Sequence, residues 1–380
     1  MARGRVAALR FTEALLKYRR SRPSTAVVAA AVLAALTQLA IPAGVLADSG
    51  THAASEKAGA PIRIDASPIR NFTRFDDATN TNDLGKVTFR GGLVLSSPSP
   101  DFGGWSGLLL DDEAKSLFAI SDVGTWLSAK IAYDGTSPSA ITDARLGPLQ
   151  TPDGDLSGRK RDSDSEAVAL ESGTIANGTI LIGFERRHRI TRYSVSSAGV
   201  ISRGGGLPLP ASARKMRSNQ GIEALTVLKG GPYKGAPIAF SERLYDASRN
   251  HTGWLWTKKG PQKLYLKNIG DFDVTDVSSL DDGTLFVLER RFRWTEGVKM
   301  RLRRIPAGDV TPGRTMQGEI LLEADLKSQI DNMEGLAVTR LKTGEVLVTM
   351  ISDDNFSHLI QRTLLLQFTV NEAGHAKARP

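Results

Sequence analysis

Carboxylates recur in pairs along this chain. Glu166 is followed 19 residues later by Glu185, Glu223 by Glu242 and Glu334 by Asp353 at the same distance, and Asp276 by Glu289 after 13. In the first such unit Ser106 takes the leading position and Asp122 the closing one, while Asp164 stands two residues before Glu166. Each pair brackets a short apolar run, a turn through Gly or Asp, and a second apolar run. If the runs are antiparallel strands, both acids of a pair lie at the same end of the hairpin, and repeated hairpins gather them on one face. Gathered carboxylates repel one another, so a cation, a basic neighbour or a raised pKa must balance them. Calcium, which takes about six to eight oxygen ligands, is the expected cation. The expected ligand set is Glu166, Glu185, Glu223, Glu242, Glu289, Glu334 and Asp353. Glu166, Glu223 and Glu334, which open three equivalent units, are also the first candidates for a catalytic base.

Arginine follows the closing acid three times, as Arg186, Arg243 and Arg290. A guanidinium binds phosphate or carboxylate oxygens two at a time, so these three are the expected substrate-binding residues. The alternative is structural, with the same arginines tying neighbouring units together through bidentate bonds to the acids. Side chains alternate across a strand, so the two cases separate on whether the strand continues through the arginine or gives way to a turn. Histidine is scarce, and His188, in Glu185-Arg186-Arg187-His188-Arg189, is the candidate proton carrier, ahead of His358.

Other chemistries are excluded. The chain has no cysteine, which removes thiolate nucleophiles, disulfides, Cys-rich zinc sites and iron–sulfur clusters. Gly104-Trp105-Ser106-Gly107 lacks the strand-turn-helix setting of a nucleophile elbow. No Walker loop, dinucleotide fingerprint or His-Glu-x-x-His occurs. Trp254 and Trp256 alternate on one strand and read as packing residues rather than a sugar platform.

The elements that must hold the acids are strands. Past Thr88 the chain is a succession of short Val, Ile, Leu and Phe runs separated by Gly, Asp and Asn, without a long helical stripe. The units starting at Ser106, Glu166, Glu223, Asp276 and Glu334 are spaced 60, 57, 53 and 58 residues apart. Two further strand-like stretches follow each hairpin, giving four strands per repeat, as in propeller blades. The last unit has only three strands, ending with Thr363 to Thr369, and one strand, Lys86 to Leu95, is spare at the front. Pairing the two closes the ring and removes exposed sheet edges. The sequence therefore predicts an all-β chain, a propeller with four-stranded blades, five of them readable, closed by an N-terminal strand in the last blade. A sixth blade drawn from Pro61 to Asp83 stays open.

The chain carries a formal charge of +8, but its first 47 residues hold seven basic side chains against Glu13, leaving +2 for the rest. That excess gives no reason to expect nucleic acid as a partner. Arg19 to Arg22 precede an apolar run from Thr25 to Leu39, and Val45-Leu46-Ala47 offers small residues for a peptidase. This is the pattern of a secretory leader, too short to span a membrane, and it predicts cleavage before Asp48, a periplasmic or secreted product, and no stable membrane insertion afterwards. Tyr18 before Arg19-Arg20, with no Phe-Leu-Lys after it, favours the ordinary secretory route over twin-arginine export. The expected organisation is a leader over 1–47, a linker over 48–85, the propeller over 86–370 and a flexible tail over 371–380.

Five motifs, FGGWSGLLLD from Phe102, DSEAVAL from Asp164, FERRHRITRY from Phe184, NQGIEAL from Asn219 and DNMEGLAV from Asp331, resemble those of the exported bacterial phytase-like family, described as having esterase-like activity of phytase. The resemblance covers about Lys86 to Val370 and implies a propeller, export, and hydrolysis of a phosphate or carboxylic ester. This sequence departs from the pattern at Ala167 and Ala224, where Gly often follows the Glu, at Ser106, and at the shortened Asp276 hairpin. The expected activity is a calcium-assisted hydrolysis of a small anionic ester or phosphoester. The alternative is a non-catalytic propeller that binds a ligand or protein on its acidic face.

Overall fold

The computed structural model describes residues 59–74, 82–151, 154–155, 160–197 and 199–372. The chain divides into two units, Met1–Ala54 and Ser55–Pro380, of which the first, with the expected leader, lies outside the described residues. Parts of the expected linker and most of the tail lie outside them too. Among the described residues no helix is long and apolar enough to cross a membrane.

Five largely antiparallel sheets form the blades of a propeller, with parallel pairs only at the edges of blades two and three among the described residues. Their innermost strands are Trp105–Leu110, Ser165–Gly173, Ile222–Val227, Asp273–Ser279 and Asn332–Arg340, in blades one to five. Each innermost strand touches the next, and the fifth touches the first, so the ring is closed. The closing strand is Val87–Ser96, which pairs antiparallel with Thr363–Val370 in blade five, as the sequence predicts. The region left open for a sixth blade supplies edge strands instead. Asp65–Ile69 extends blade five and Ala60–Pro61 extends blade one, so these parts of the expected linker are built into the propeller.

A two-faced strand pattern buries both faces of every blade, which produces one hydrophobic layer per junction. Phe286, Leu288 and Met300 of blade four meet Met333, Val348 and Leu366 of blade five in one such layer. Ala167 and Leu181 of blade two meet Leu225 and Trp254 of blade three in another. Trp254 and Trp256 are buried there, their indole N–H groups donating to Ser212 Oγ and Pro208 O at 3.0 Å each, which agrees with the packing role read from the sequence. The innermost strands line a central channel. One end holds a small cavity lined by Leu108, Leu170, Val227 and Val338 together with Thr226, Lys229, Ser278 and Thr339.

Candidate functional site

The acids reach the open mouth of the channel through a backbone irregularity that every blade repeats. In each innermost strand the pairing with the second strand skips one residue: Ser106, Glu166, Glu223, Thr275 and Glu334 in blade order. Such a bulge breaks the alternation of side chains and re-aims the extra residue, here out of the blade face and toward the mouth. Opposite the residue before each bulge stand Ser121, Phe184, Ser241, Glu289 and Ser352. The residue after each of those completes the mouth: Asp122, Glu185, Glu242, Arg290 and Asp353.

Blade four is therefore offset by one residue from the sequence repeat. Thr275 rather than Asp276 occupies its bulge, and Arg290 rather than Glu289 takes the mouth position on its second strand, which runs on to Arg293. Because one residue of slip moves a side chain to the opposite face, the two acids expected at the mouth are carried away from it. Asp276 instead turns toward blade five, where its carboxylate accepts the backbone N–H of Leu336 at 2.7 Å as well as that of Val277 at 2.8 Å. Glu289 is fully buried and accepts from Arg303 Nη2 at 2.5 Å, with Arg301 Nη1 at 3.7 Å. Its place in the expected ligand set is thus taken by an ion pair inside the blade.

The remaining acids act on one another. Burial pushes the carboxyl of Glu166 well above the usual range, and the charges of Glu334, Glu185, Asp122 and Asp164 push it further. Glu223 is raised in the same way, by burial and then by Glu166 and Glu185. Glu334 is raised by burial against the opposing pull of Arg290. Burial lifts Glu242 to about 7, although Arg243 opposes it, and lifts Asp353 to about 8, helped by Glu334. Oxygens of Asp164, Glu166 and Glu185 lie within 4.8 Å of one another. Three hard oxygen donors at that spacing, with like charges pressing on them, suit a hard cation of calcium type.

Four cations stand among these acids. Lys160 lies 3.3 Å from Asp122 and 3.9 Å from Asp164, and Arg186 pairs with Asp164. Arg243 holds Asp273 through Nε and Nη2 at 2.9 and 2.5 Å. Arg290 Nη2 lies 3.6 Å from Glu334, and its Nε is buried without a hydrogen-bond partner among the described residues. The three arginines expected to be equivalent are not. The strand gives way to a turn at Arg186, which has a positive φ of 50°, whereas Arg243 and Arg290 lie within strands. Arg290 reaches the mouth although its strand continues, because the offset of blade four puts it where other blades carry an acid, and of the three it is the one with a buried donor that lacks a partner among the described residues. His188 stands beside the ring rather than in it, with Nε2 3.0 Å from Arg217 O and its Nδ1 packed near Gly221, whose N–H donates to Glu185 Oε1 at 2.5 Å.

Several groups at the mouth left little trace in the sequence. Asn332 Nδ2 donates to Glu334 at 2.8 Å and to Asp353 at 3.3 Å, bridging two repelling acids. Asp354 accepts from Gly104 N, His358 Nδ1 and Thr363 Oγ1 and so ties blade five to blade one. Gly104 must be glycine, because a Cβ there would strike Asp122, Ser121 and Phe356. Lys160 carries no repeat signal, since it comes from the connection into blade two, and Asp273 opens the innermost strand of blade four.

The motifs at this mouth decide the relationship, for the family described as phytase-like, esterase-like activity of phytase, matches residues 100–356. The chain belongs to the phytase-like family. A comparison with curated proteins finds no match. Among solved structures, the Dos1 propeller is similar at 8% identity and a TM-score of 0.33, with 75% of each chain covered. The Cps50 (Swd1) β-propeller domain of Myceliophteria thermophila is similar at 9% identity and a TM-score of 0.35, with 82% of this chain and 100% of that one covered. Likenesses at these scores carry no argument, and the propeller rests on the strand pairing above.

The raised acids of this phytase-like propeller make its stability depend on pH in a defined direction. A carboxyl whose pKa is higher folded than unfolded holds its proton longer in the folded state, so its stabilisation is complete at low pH and disappears as pH rises through the folded value. The ordinary values of 3.8 and 4.5 and the folded values of about 8 and about 7 for Asp353 and Glu242 set a window from roughly pH 4 to pH 8. In chelator, Tm is expected to fall by about 5–10 °C between pH 5 and pH 8, measured by calorimetry. A flat or rising Tm across that window would show that the acids do not cluster as described.

Proposed function

We propose that this phytase-like propeller is an exported ester hydrolase that works at its carboxylate mouth. The observation that carries the proposal is the pairing, in one mouth, of the Asp164–Glu166–Glu185 donor set with the Arg290 guanidinium, whose buried Nε–H has no partner among the described residues. Calcium held by that set would neutralise the acids and polarise an ester or phosphoryl oxygen. Glu166 and Glu185 would be its first ligands, and Glu223, Glu334 and Asp353 would complete the shell or hold the attacking water. Arg290 binds an anionic oxygen of the substrate and stabilises the charge that grows on it during attack. Arg186 and Arg243 reach the same rim, and there they hold Asp164 and Asp273 in place.

A general base works best with a pKa near the working pH, and Glu242, at about 7, meets that condition. His188 is the second candidate, with a buried Nδ1 that has no hydrogen-bond partner among the described residues. The leader read over 1–47 would deliver the protein to the periplasm or the medium, where calcium is plentiful. Hydrolysis of p-nitrophenyl phosphate and p-nitrophenyl acetate, each with calcium and with chelator, tests the proposal. Turnover of the phosphate ester that chelation abolishes is expected. No turnover of either ester overturns the hydrolase, and turnover indifferent to chelation overturns the metal.

A further inference from the structure

Large apolar side chains that stand exposed among the described residues are confined to two neighbouring blades. They are Phe292, Trp294 and Leu326 of blade four and Leu359 and Ile360 of blade five, with exposures of 57, 75, 45, 102 and 83%. All lie on the face that holds the mouth. Phe292 and Trp294 extend the strand that brings Arg290 there, at the hairpin between Leu285–Arg293 and Gly297–Ile305. Leu359 and Ile360 sit on the loop that follows Asp353.

Strand alternation fixes which way the hairpin faces. Glu289, Arg291 and Arg293 point one way, where Arg291 donates to Gly270 O at 2.8 Å and Arg293 to Glu296 at 3.2 Å. Leu288 packs into the layer shared with blade five, and Arg290 reaches Glu334 of that blade. Phe292 continues this second face above the buried layer. The loop with Leu359 and Ile360 leans toward the same junction, because Arg362 Nη1 donates to Gln329 Oε1 at 3.3 Å and its backbone N–H to Asp331 at 3.2 Å, on the connection from blade four. Leu326 lies against Gly297 of the hairpin. These exposed apolar side chains make up a ridge on the mouth face, and its nearest member, Phe292, stands two residues from Arg290. An exposed apolar patch bordered by polar groups is a place of contact, and this one stands on the same face as the mouth.

We propose that the mouth takes phosphate esters of apolar alcohols, with the phosphate held at Arg290 and the alkyl or aryl group laid on the ridge of Phe292, Trp294 and Ile360. The inference rests on the hydrolase reading and names its substrate class. In the reaction the oxygen of water bonds to phosphorus, the bond from phosphorus to the alcohol oxygen breaks, and that oxygen takes a proton. The freed alcohol leaves along the ridge and inorganic phosphate leaves from the mouth. The apolar contacts lie outside the reacting groups, so they set which ester is used and leave the bond-breaking step alone.

Phosphate release from methyl, butyl and octyl phosphate, each below its micelle concentration and with calcium present, tests the inference on the whole protein and on the Phe292→Ser/Trp294→Ser variant. Wild-type kcat/KM should rise at least about tenfold from methyl to octyl, as burial of a few methylene groups provides. The variant should lose that rise and keep its rate on methyl phosphate within about twofold. A flat wild-type series, or a variant slowed equally on all three esters, overturns the inference. If none is hydrolysed, the hydrolase reading fails by itself and binding decides the ligand class. Trp294 is the one exposed tryptophan of five, so octyl phosphate should shield it from acrylamide quenching at concentrations where methyl phosphate does not. Equal shielding, or none, overturns the inference. Sedimentation of the wild type but not the variant with phosphatidylglycerol vesicles also overturns it, assigning the ridge to a lipid surface.

Discussion

Glu166→Gln is expected to lower kcat/KM by about 100-fold or more while making the metal-free protein more stable at pH 8. Glu166 is where the repulsion in the mouth converges. Glu334, Glu185, Asp122 and Asp164 all raise its pKa, and it is in turn the strongest charged neighbour acting on Glu223. Glutamine keeps the size of the side chain and removes the charge. One repelling member is then gone, so the chelated variant should unfold at a higher temperature than the chelated wild type. The same change takes an anionic oxygen out of the Asp164–Glu166–Glu185 set, so calcium should raise the variant's Tm far less than that of the wild type, where saturating ligand contributes about 2–4 kcal/mol. A binding module without catalysis would show the stability changes with no turnover to lose. Calorimetry with and without calcium, beside kinetics on p-nitrophenyl phosphate, reads all three quantities. A variant with wild-type turnover would remove Glu166 from the mechanism.

Glu289→Ala should give the opposite result, a large loss of stability with little change in catalysis. Glu289 and Arg303 are both fully buried, and Arg303 Nη1 also donates to the carbonyls of Lys267 and Gln317 at 3.0 and 2.8 Å. Those carbonyls lie on the connection from blade three and on the segment before the outer strand of blade four, so the guanidinium fastens two blades. Removing the acid leaves a buried charge without its counter-ion, which costs about 3–5 kcal/mol, or about 10 °C in Tm. Well below its transition the variant should hydrolyse the same esters with kcat/KM within about twofold of the wild type. An unchanged Tm with lost turnover would return Glu289 to the mouth, where the repeat by itself puts it.

That contrast between Glu166 and Glu289 marks the border between what the sequence determined and what only the tertiary structure decided. The period near 57 residues, the four apolar runs in all units but the last and the spare strand before Phe102 determine a propeller closed by its N-terminal strand, because burial patterns and turn residues are local properties of a chain, while the pairing of 60–69 with blades one and five decided for five blades over six. They also place Glu166, Glu185, Glu223, Glu242, Glu334 and Asp353 at one mouth. Blade four is different, since Asp276 and Glu289 satisfy the same pattern of residue types as their counterparts. A bulge is a matter of which hydrogen bonds the backbone makes, and no residue type announces whether it falls on Thr275 or Asp276. Moving it by one residue takes Glu289 from the mouth to the blade interior and brings Arg290 to the mouth in its place. The exposed ridge has the same origin, because alternation beyond Arg290 sets Phe292 above the junction with blade five only once the register of that strand is fixed.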